Sequence, residues 1–200
     1  MKNFNSSKII SNLVRISIII IAIFLIINKQ YENLGILAIT MLLTFYDVLV
    51  EKLLKIKLDN KLKNSITLFI FGAQCLGSVL DFYGKFLWWD TMLHTISGVI
   101  FYFVGTTIIE QMSKKYGNQN INKMIVISFG ICFALASVVV WEVFEYGVDT
   151  FLGQNMQITE GLIGREAIKD TMIDLISVTG GTIVISILDS FLRKRKEEKE

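Results

Sequence analysis

The sequence contains no proline, one histidine and only two cysteines in 200 residues. Because no proline is present to kink or end a helix, the composition favours long uninterrupted helices. The two cysteines, Cys75 and Cys132, lie inside apolar runs and form no Cys-x-x-Cys pair, so we expect them to pack as small hydrophobic side chains. The single histidine, His94, argues against a zinc centre built on three histidines.

Hydrophobic residues make up 52% of the chain and charged residues only 19%, with a mean hydropathy of +0.55. This balance is typical of membrane proteins rather than of soluble domains. Apolar runs recur along the chain, lack the alternation of strands, and approach the roughly 20 residues that cross a hydrocarbon core. We predict six spans, at residues 9–27, 34–50, 66–83, 91–109, 124–149 and 171–192. The sequence therefore predicts an all-α integral membrane bundle, formed by a single domain over residues 1–200 with a charged tail at 193–200.

Lysine and arginine are distributed unevenly among the predicted loops. Sixteen of the twenty lie in the N-terminal segment, in the loops 51–65 and 110–123, and in the tail, whereas the alternate loops hold four. By the positive-inside rule, this asymmetry predicts that both termini are cytoplasmic in a multi-pass protein of the bacterial cytoplasmic membrane. The net charge of +2 conceals the asymmetry and gives no reason to expect nucleic-acid binding.

The polar residues of predicted spans 3 to 6 fall at one membrane face, the outer one in this topology. Residues three, four or seven apart share one side of a helix. The resulting stripes are Gln74, Gly77 and Asp81; Asp90, His94, Gly98 and Gly105; Glu142, Glu145 and Asp149; and Asp170, Asp174, Ser177 and Gly181. Small residues let membrane helices approach closely, so we expect the stripes to face one another around one polar cavity.

The charge of this predicted outer half is unbalanced. It carries ten acidic residues against four basic ones, so salt bridges alone cannot neutralise it. A charged side chain at the bilayer centre costs about 2.5–3.5 kcal/mol and commonly marks a pairing, a pathway or a site. Protons on the carboxylates or a bound cation are the two candidate sources of neutralisation. A histidine nitrogen with several carboxylate oxygens suits Zn²⁺, Mn²⁺ or Mg²⁺. The candidate metal ligands are His94, Asp90, Glu142, Glu145, Asp170 and Asp174, of which Glu142, Glu145 and Asp174 are also candidate catalytic groups.

A purely structural interpretation of these acids is also open. Asp90 and Asp170 are ordinary first-turn acids, which the helix dipole favours. Three basic residues are available to pair with neighbouring acids, namely Lys85, Arg165 and Lys169 with Asp81, Asp149 or Glu166. Neither capping nor these loop pairs explains Glu142, Glu145 and Asp174, which favours the interpretation as a site.

Two weaker signals lie outside the acidic stripes. Asp189 and Arg193 are four residues apart, and we expect them to pair at the cytoplasmic end of the last span. Aromatic residues near the outer ends of the spans are typical of an interfacial belt. These belt residues are Trp88, Trp89, Trp141 and Tyr146.

Three stretches resemble bacterial YjdF-like inner-membrane proteins, which are distantly similar to VanZ-like proteins. They are "WWDTMLHTISG" with its D-x-x-x-H-x-x-x-G pattern, "WEVFEYGVDTFLG" with E-x-x-E, and "GREAIKDTMIDLISVTGG" with D-T-x-x-D. The resemblance covers about residues 66–190. It implies that Asp90, His94, Glu142, Glu145, Asp170 and Asp174 carry the role of that family, without naming its chemistry. The outer loop departs from the family, because it lacks the G-D-V-W-D run and reads "GREAIKD".

Three functions are compatible with these residues. The first is a metal-assisted hydrolase or transferase that acts on a lipid headgroup or another envelope substrate, through a metal-activated water or a carboxylate base. The second is a small-solute or proton-coupled transporter, which is less favoured because the inner halves of spans 3 to 6 carry Gly and Ser rather than charges. The third is a non-catalytic accessory or resistance factor. The outer loop 152–169 is either a lid or a connector.

Overall fold

The computed structural model describes residues 6–117, 120–157 and 162–197. All regular secondary structure in these ranges is helical, as the composition predicts. The α-helices are α1 (Ser6–Ile27), α2 (Leu34–Leu43), α3 (Tyr46–Leu54), α4 (Asn60–Ile70), α5 (Phe82–Lys85), α6 (Trp89–Lys115), α7 (Lys123–Leu152) and α8 (Lys169–Glu197). A π-helix (Phe71–Val79) follows α4 directly, and short 3₁₀ turns (Tyr31–Asn33 and Glu166–Ile168) precede α2 and α8.

Four of these helices, α1, α6, α7 and α8, are long and apolar enough to cross a membrane. Helices α2 and α3 meet at an angle of 45° and provide a fifth span if the bent pair counts as one. Length and composition thus support four to five spans, while the count of six and the cytoplasmic termini stay predictions.

Two breaks interrupt helices that the absence of proline predicted to be continuous. One lies between α2 and α3, at Thr44 and Phe45. The other lies in the predicted third span, where the π-helix ends at Val79 and Asp81 adopts a left-handed conformation with φ 58°. The expectation of uninterrupted helices was therefore wrong at these two places, because side-chain contacts and π-helical geometry break a helix without proline.

The described residues up to Leu93 form one compact unit. Its core is a stripe of α1 packed against α2 and the π-helix, and consists of Val14, Ile18, Leu25, Leu37, Cys75 and Val79. Arg15 of α1 reaches the α2–α3 break, where its Nε donates to Thr44 Oγ1 at 2.9 Å and its Nη2 to the Thr44 carbonyl at 3.0 Å. The same guanidinium lies 3.8 Å from the centroid of the Phe45 ring. Arg15 therefore binds a carbonyl at the break and stabilises the bend.

The described residues from His94 onward form the second compact unit, built from α6, α7 and α8. Helices α6 and α7 are antiparallel and very close, since a Cβ atom on Gly105 would lie 2.7 Å from Phe133 Cβ and 3.1 Å from Gly130 Cα. Tyr102 is fully buried in the core of this unit beside Ile127 and Ala134.

Helices α6 and α8 run in the same direction. Gly98 of α6 contacts the backbone carbonyl of Val178, and Gly181 of α8 contacts the carbonyl of Thr95. A Cβ atom on either glycine would overlap that carbonyl oxygen, so the two backbones touch through glycine on both sides. The small residues of the predicted stripes therefore do bring membrane helices together.

Candidate metal site

Helix α7 buries its glutamates and exposes its aliphatic side chains. Its buried stripe ends in Glu142 and Glu145, each 7% exposed, whereas Val140 and Val143 are 69% and 64% exposed. In water, an arrangement of buried carboxylates and exposed valines would be unfavourable. In a bilayer it is favourable, because the valines face lipid and the carboxylates are kept away from lipid. The glutamates thus lie inside the α6–α8 unit because a lipid-facing carboxylate would be costly.

Asp174 of α8 completes a group of three buried carboxylates. It is 1% exposed, and one oxygen from each of Glu142, Glu145 and Asp174 lies within 4.8 Å of the others. Ligand atoms around one cation at bond lengths of about 2.0–2.6 Å have separations of this size. The three residues, here called the carboxylate cluster, could therefore hold a metal ion.

His94 of α6 adjoins the cluster through Asp174. Its Nε2 lies 3.6 Å from Asp174 Oδ1, and its side chain is 11% exposed. The Gly98 contact lies about one helical turn after His94 on α6, and the Gly181 contact about two turns after Asp174 on α8. The close approach of the two backbones is therefore what brings His94 to Asp174.

The structure adds a hydrogen bond at the cluster that the sequence analysis missed. Trp141 Nε1 donates to Glu145 Oε1 at 2.7 Å. Trp141 is 40% exposed, in line with the predicted aromatic belt, but its polar atom is directed to the glutamate. The spacing of four residues between Trp141 and Glu145 was the available signal, since such residues are neighbours on a helix.

The two remaining candidate ligands are first-turn residues. Asp90 is in the first turn of α6 and Asp170 in the first turn of α8, one turn before His94 and Asp174 respectively. Both are partly buried. Asp170 does not belong to the carboxylate cluster within the described residues, and Asp90 belongs to the first compact unit. Their assignment as ligands stays a prediction.

Asp149, which shares the predicted stripe of Glu142 and Glu145, binds the backbone of the loop that follows α7. Its two carboxylate oxygens accept hydrogen bonds from the backbone N–H groups of Met156 (2.7 Å) and Gln157 (2.9 Å). It thereby ties the start of the loop 152–169 to the end of α7. Residues 158–161 of that loop are outside the described ranges.

The stripe of the predicted third span lies in the first compact unit and consists of Gln74, Gly77 and Asp81. Gln74 and Gly77 are in the π-helix, and Gly77 packs under the Tyr83 ring. None of the three belongs to the carboxylate cluster.

A second group of polar side chains lies about 22 Å farther along α8, at 1.5 Å per residue. Tyr102 donates its hydroxyl to Asp189 Oδ2 at 2.7 Å, and Arg193 Nε donates to the same oxygen at 2.7 Å. Arg193 also pairs with Glu110 of α6. This confirms the expected pairing of Asp189 with Arg193. Because an arginine binds both acids, this group is an internal ion pair.

Comparison with known protein families gives a match over most of the chain. Residues 10–195 match the model of the family described as predicted membrane protein (DUF2238). No curated protein and no solved structure matches the chain. The match supports a membrane-protein family but not the YjdF-like or VanZ-like naming, which remains a resemblance of three motifs. Because the match covers nearly the whole chain, the chain belongs to the DUF2238 family of membrane proteins.

Proposed function

We propose that this membrane protein binds one divalent cation at the carboxylate cluster and uses it for metal-assisted hydrolysis or group transfer on a lipid or another envelope substrate. The observation that carries the proposal is the convergence of Glu142, Glu145 and Asp174, all buried, within 4.8 Å. Helix caps do not account for it, because Glu142 and Glu145 lie two to three turns inside α7.

The charge of the cluster supports a cation. Three ionised carboxylates close together repel one another, and burial in a low-dielectric interior penalises each charge further. A dication would change the net charge of the cluster from −3 to −1 and would bind α7 to α8. Neutralisation by protons is the alternative, and it predicts a different response to substitution.

The donor set favours a small class of ions. Carboxylate oxygens suit Mg²⁺ and Mn²⁺, whereas a nitrogen donor shifts the preference towards Mn²⁺ or Zn²⁺. We propose His94 as the nitrogen donor, on the basis of its 3.6 Å distance from Asp174. Three protein ligands would leave the fourth position of a tetrahedral Zn²⁺ open to water, and four would leave two positions open on an octahedral Mn²⁺ or Mg²⁺.

The proposed chemistry follows from that open position. A bound cation would lower the pKa of a coordinated water and polarise a carbonyl or phosphoryl oxygen of the substrate. A cluster carboxylate would accept the proton that the water loses. Our predicted topology places the cluster in the outer half of the membrane, where lipid headgroups and lipid-linked envelope intermediates are within reach.

The decisive experiment measures metal content and metal response together. We expect protein purified without chelator to contain about one equivalent of Zn²⁺ or Mn²⁺, or to show a rise in thermal midpoint when Zn²⁺, Mn²⁺ or Mg²⁺ is added. Glu142→Gln keeps the side-chain shape and should abolish both effects without loss of folded yield. Glu166→Gln is the matched control, since Glu166 is exposed on the same unit, and it should bind metal like the wild type.

The results separate the two parts of the proposal. Metal-free wild-type protein with an unchanged thermal midpoint would refute the cation site. A Glu142→Gln variant that is more stable than the wild type under those conditions would point to protonated carboxylates. Metal binding without metal-dependent turnover of a bacterial lipid extract, measured by mass spectrometry, would refute catalysis and favour an accessory role.

A further inference from the structure

Trp141 donates a hydrogen bond to the carboxylate cluster. Its Nε1 lies 2.7 Å from Glu145 Oε1, one turn away on α7. An indole N–H can only donate, and it neither ionises nor binds a metal in place of the carboxylate. The contact therefore fixes one oxygen of Glu145 without neutralising its charge.

The aromatic surroundings hold the indole in place. The Trp141 ring packs against Phe144 with ring centroids 5.4 Å apart. With 40% of its surface exposed, Trp141 has the amphipathic placement of an interfacial tryptophan, with an apolar body towards lipid and a polar atom towards the protein. The hydrogen bond forms part of the boundary between the lipid and the cluster.

We propose that Trp141 is a positioning residue for the cation site: it holds Oε1 of Glu145 so that the carboxylate meets the metal in a fixed orientation. This inference rests on the proposed cation site. Ligating carboxylates are commonly oriented by a hydrogen bond from a second residue, and loss of such a partner typically lowers metal affinity about 10–100-fold. Glu142 and Asp174 would supply the other carboxylate ligands.

The test compares Trp141→Phe with wild-type protein. Phenylalanine keeps an aromatic ring at the lipid boundary and removes the N–H donor. We expect the affinity for Mn²⁺, measured by titration calorimetry in detergent, to fall about tenfold or more. The thermal midpoint of the metal-free protein should change no more than in the control Trp88→Phe, a belt tryptophan that is 57% exposed.

A double-mutant cycle separates positioning from packing. If Trp141 acts through Glu145, Trp141→Phe should cause no further loss of Mn²⁺ affinity in a Glu145→Gln background. Additive losses would overturn the inference, because they would show that the ring acts by another route. Wild-type affinity in Trp141→Phe would overturn it as well and leave the cation site intact.

Fluorescence tests the same contact without any change at Trp141. In a Trp88→Phe, Trp89→Phe double variant Trp141 is the remaining tryptophan. Co²⁺ bound at the cluster should quench its emission, with saturation at the dissociation constant that calorimetry gives for Co²⁺. Absence of quenching despite calorimetric binding would overturn the inference, even if Trp141→Phe failed to fold. Absence of any Mn²⁺ or Co²⁺ binding by wild-type protein would instead refute the cation site, and with it the role of Trp141.

Discussion

Gly181 of α8 lies directly against the backbone carbonyl of Thr95 on α6, with no room for a side chain between them. Gly98 makes the reciprocal contact with the Val178 carbonyl. The distance between His94 and Asp174 depends on this approach, because the same two helices carry them.

A methyl group at position 181 is expected to force α6 and α8 apart. Gly181→Ala should lower the stability of the protein by about 1–3 kcal/mol, the usual cost of overpacking, and should weaken metal binding at the cluster. Gly180→Ala is the matched control, since a Cβ atom there meets nothing within 4 Å. Thermal unfolding in detergent, with and without Mn²⁺, measures both effects. Equal midpoints for the two variants would contradict the close contact.

Substitution of the histidine is expected to change which metal is preferred. His94→Gln replaces an imidazole nitrogen by an amide, and nitrogen donors favour Zn²⁺ over Mg²⁺. The ratio of Zn²⁺ to Mg²⁺ affinity should therefore fall by about tenfold or more, while Glu142→Gln should weaken the binding of both ions. Competition titrations with a chromophoric chelator give the two affinities. An unchanged ratio would exclude His94 as a ligand.

The ion pair at the other end of α8 is expected to contribute to stability and not to metal binding. Arg193→Met leaves the acids Asp189 and Glu110 without their arginine, and since the group is partly exposed we expect a loss of about 1–3 kcal/mol. Lys194→Met, an exposed neighbour, should be close to neutral. Urea unfolding measures the stability, and Mn²⁺ titration should give wild-type affinity for both. Reduced metal affinity in Arg193→Met would show that the two ends of α8 are coupled.

Cysteine labelling tests the predicted topology. In a background without Cys75 and Cys132, a cysteine at position 155 should react with a membrane-impermeant maleimide in intact cells, and one at position 118 should not. Asn118 itself is outside the described residues. Labelling at 118 but not at 155 would invert the topology and place the carboxylate cluster towards the cytoplasm.

The helical class and the convergence of the cluster could be predicted from the sequence, because both follow from periodicity and from the cost of charge in lipid. Glu142, Glu145 and Asp174 have no other low-energy position than the interior of the unit. The break at Thr44 could not be predicted, because it depends on Arg15, some thirty residues away in the chain. Spacing alone also did not indicate the hydrogen bonds that Asp149 accepts from backbone groups of the following loop.

The Trp141 contact shows a different limit of sequence patterns. An aromatic residue at a predicted span end is typical of an interfacial belt, and its exposure agrees with that class. Membership of an interfacial belt, however, describes only where the apolar ring lies and not where its N–H group points. The direction of the indole N–H depends on the side-chain conformation, which hydropathy does not encode.

The order of the helices along the chain has a consequence for biosynthesis. Glu142 and Glu145 enter the membrane with α7, before the ribosome has synthesised α8 and its Asp174. Until α8 arrives, α7 has an acidic stripe without its partner helix, and we expect this intermediate to be exposed to degradation or to capture by membrane chaperones. A nascent chain that stalls between residues 153 and 169 should therefore be unusually short-lived, and insertion of the last helix should be the step that commits the protein to its native state.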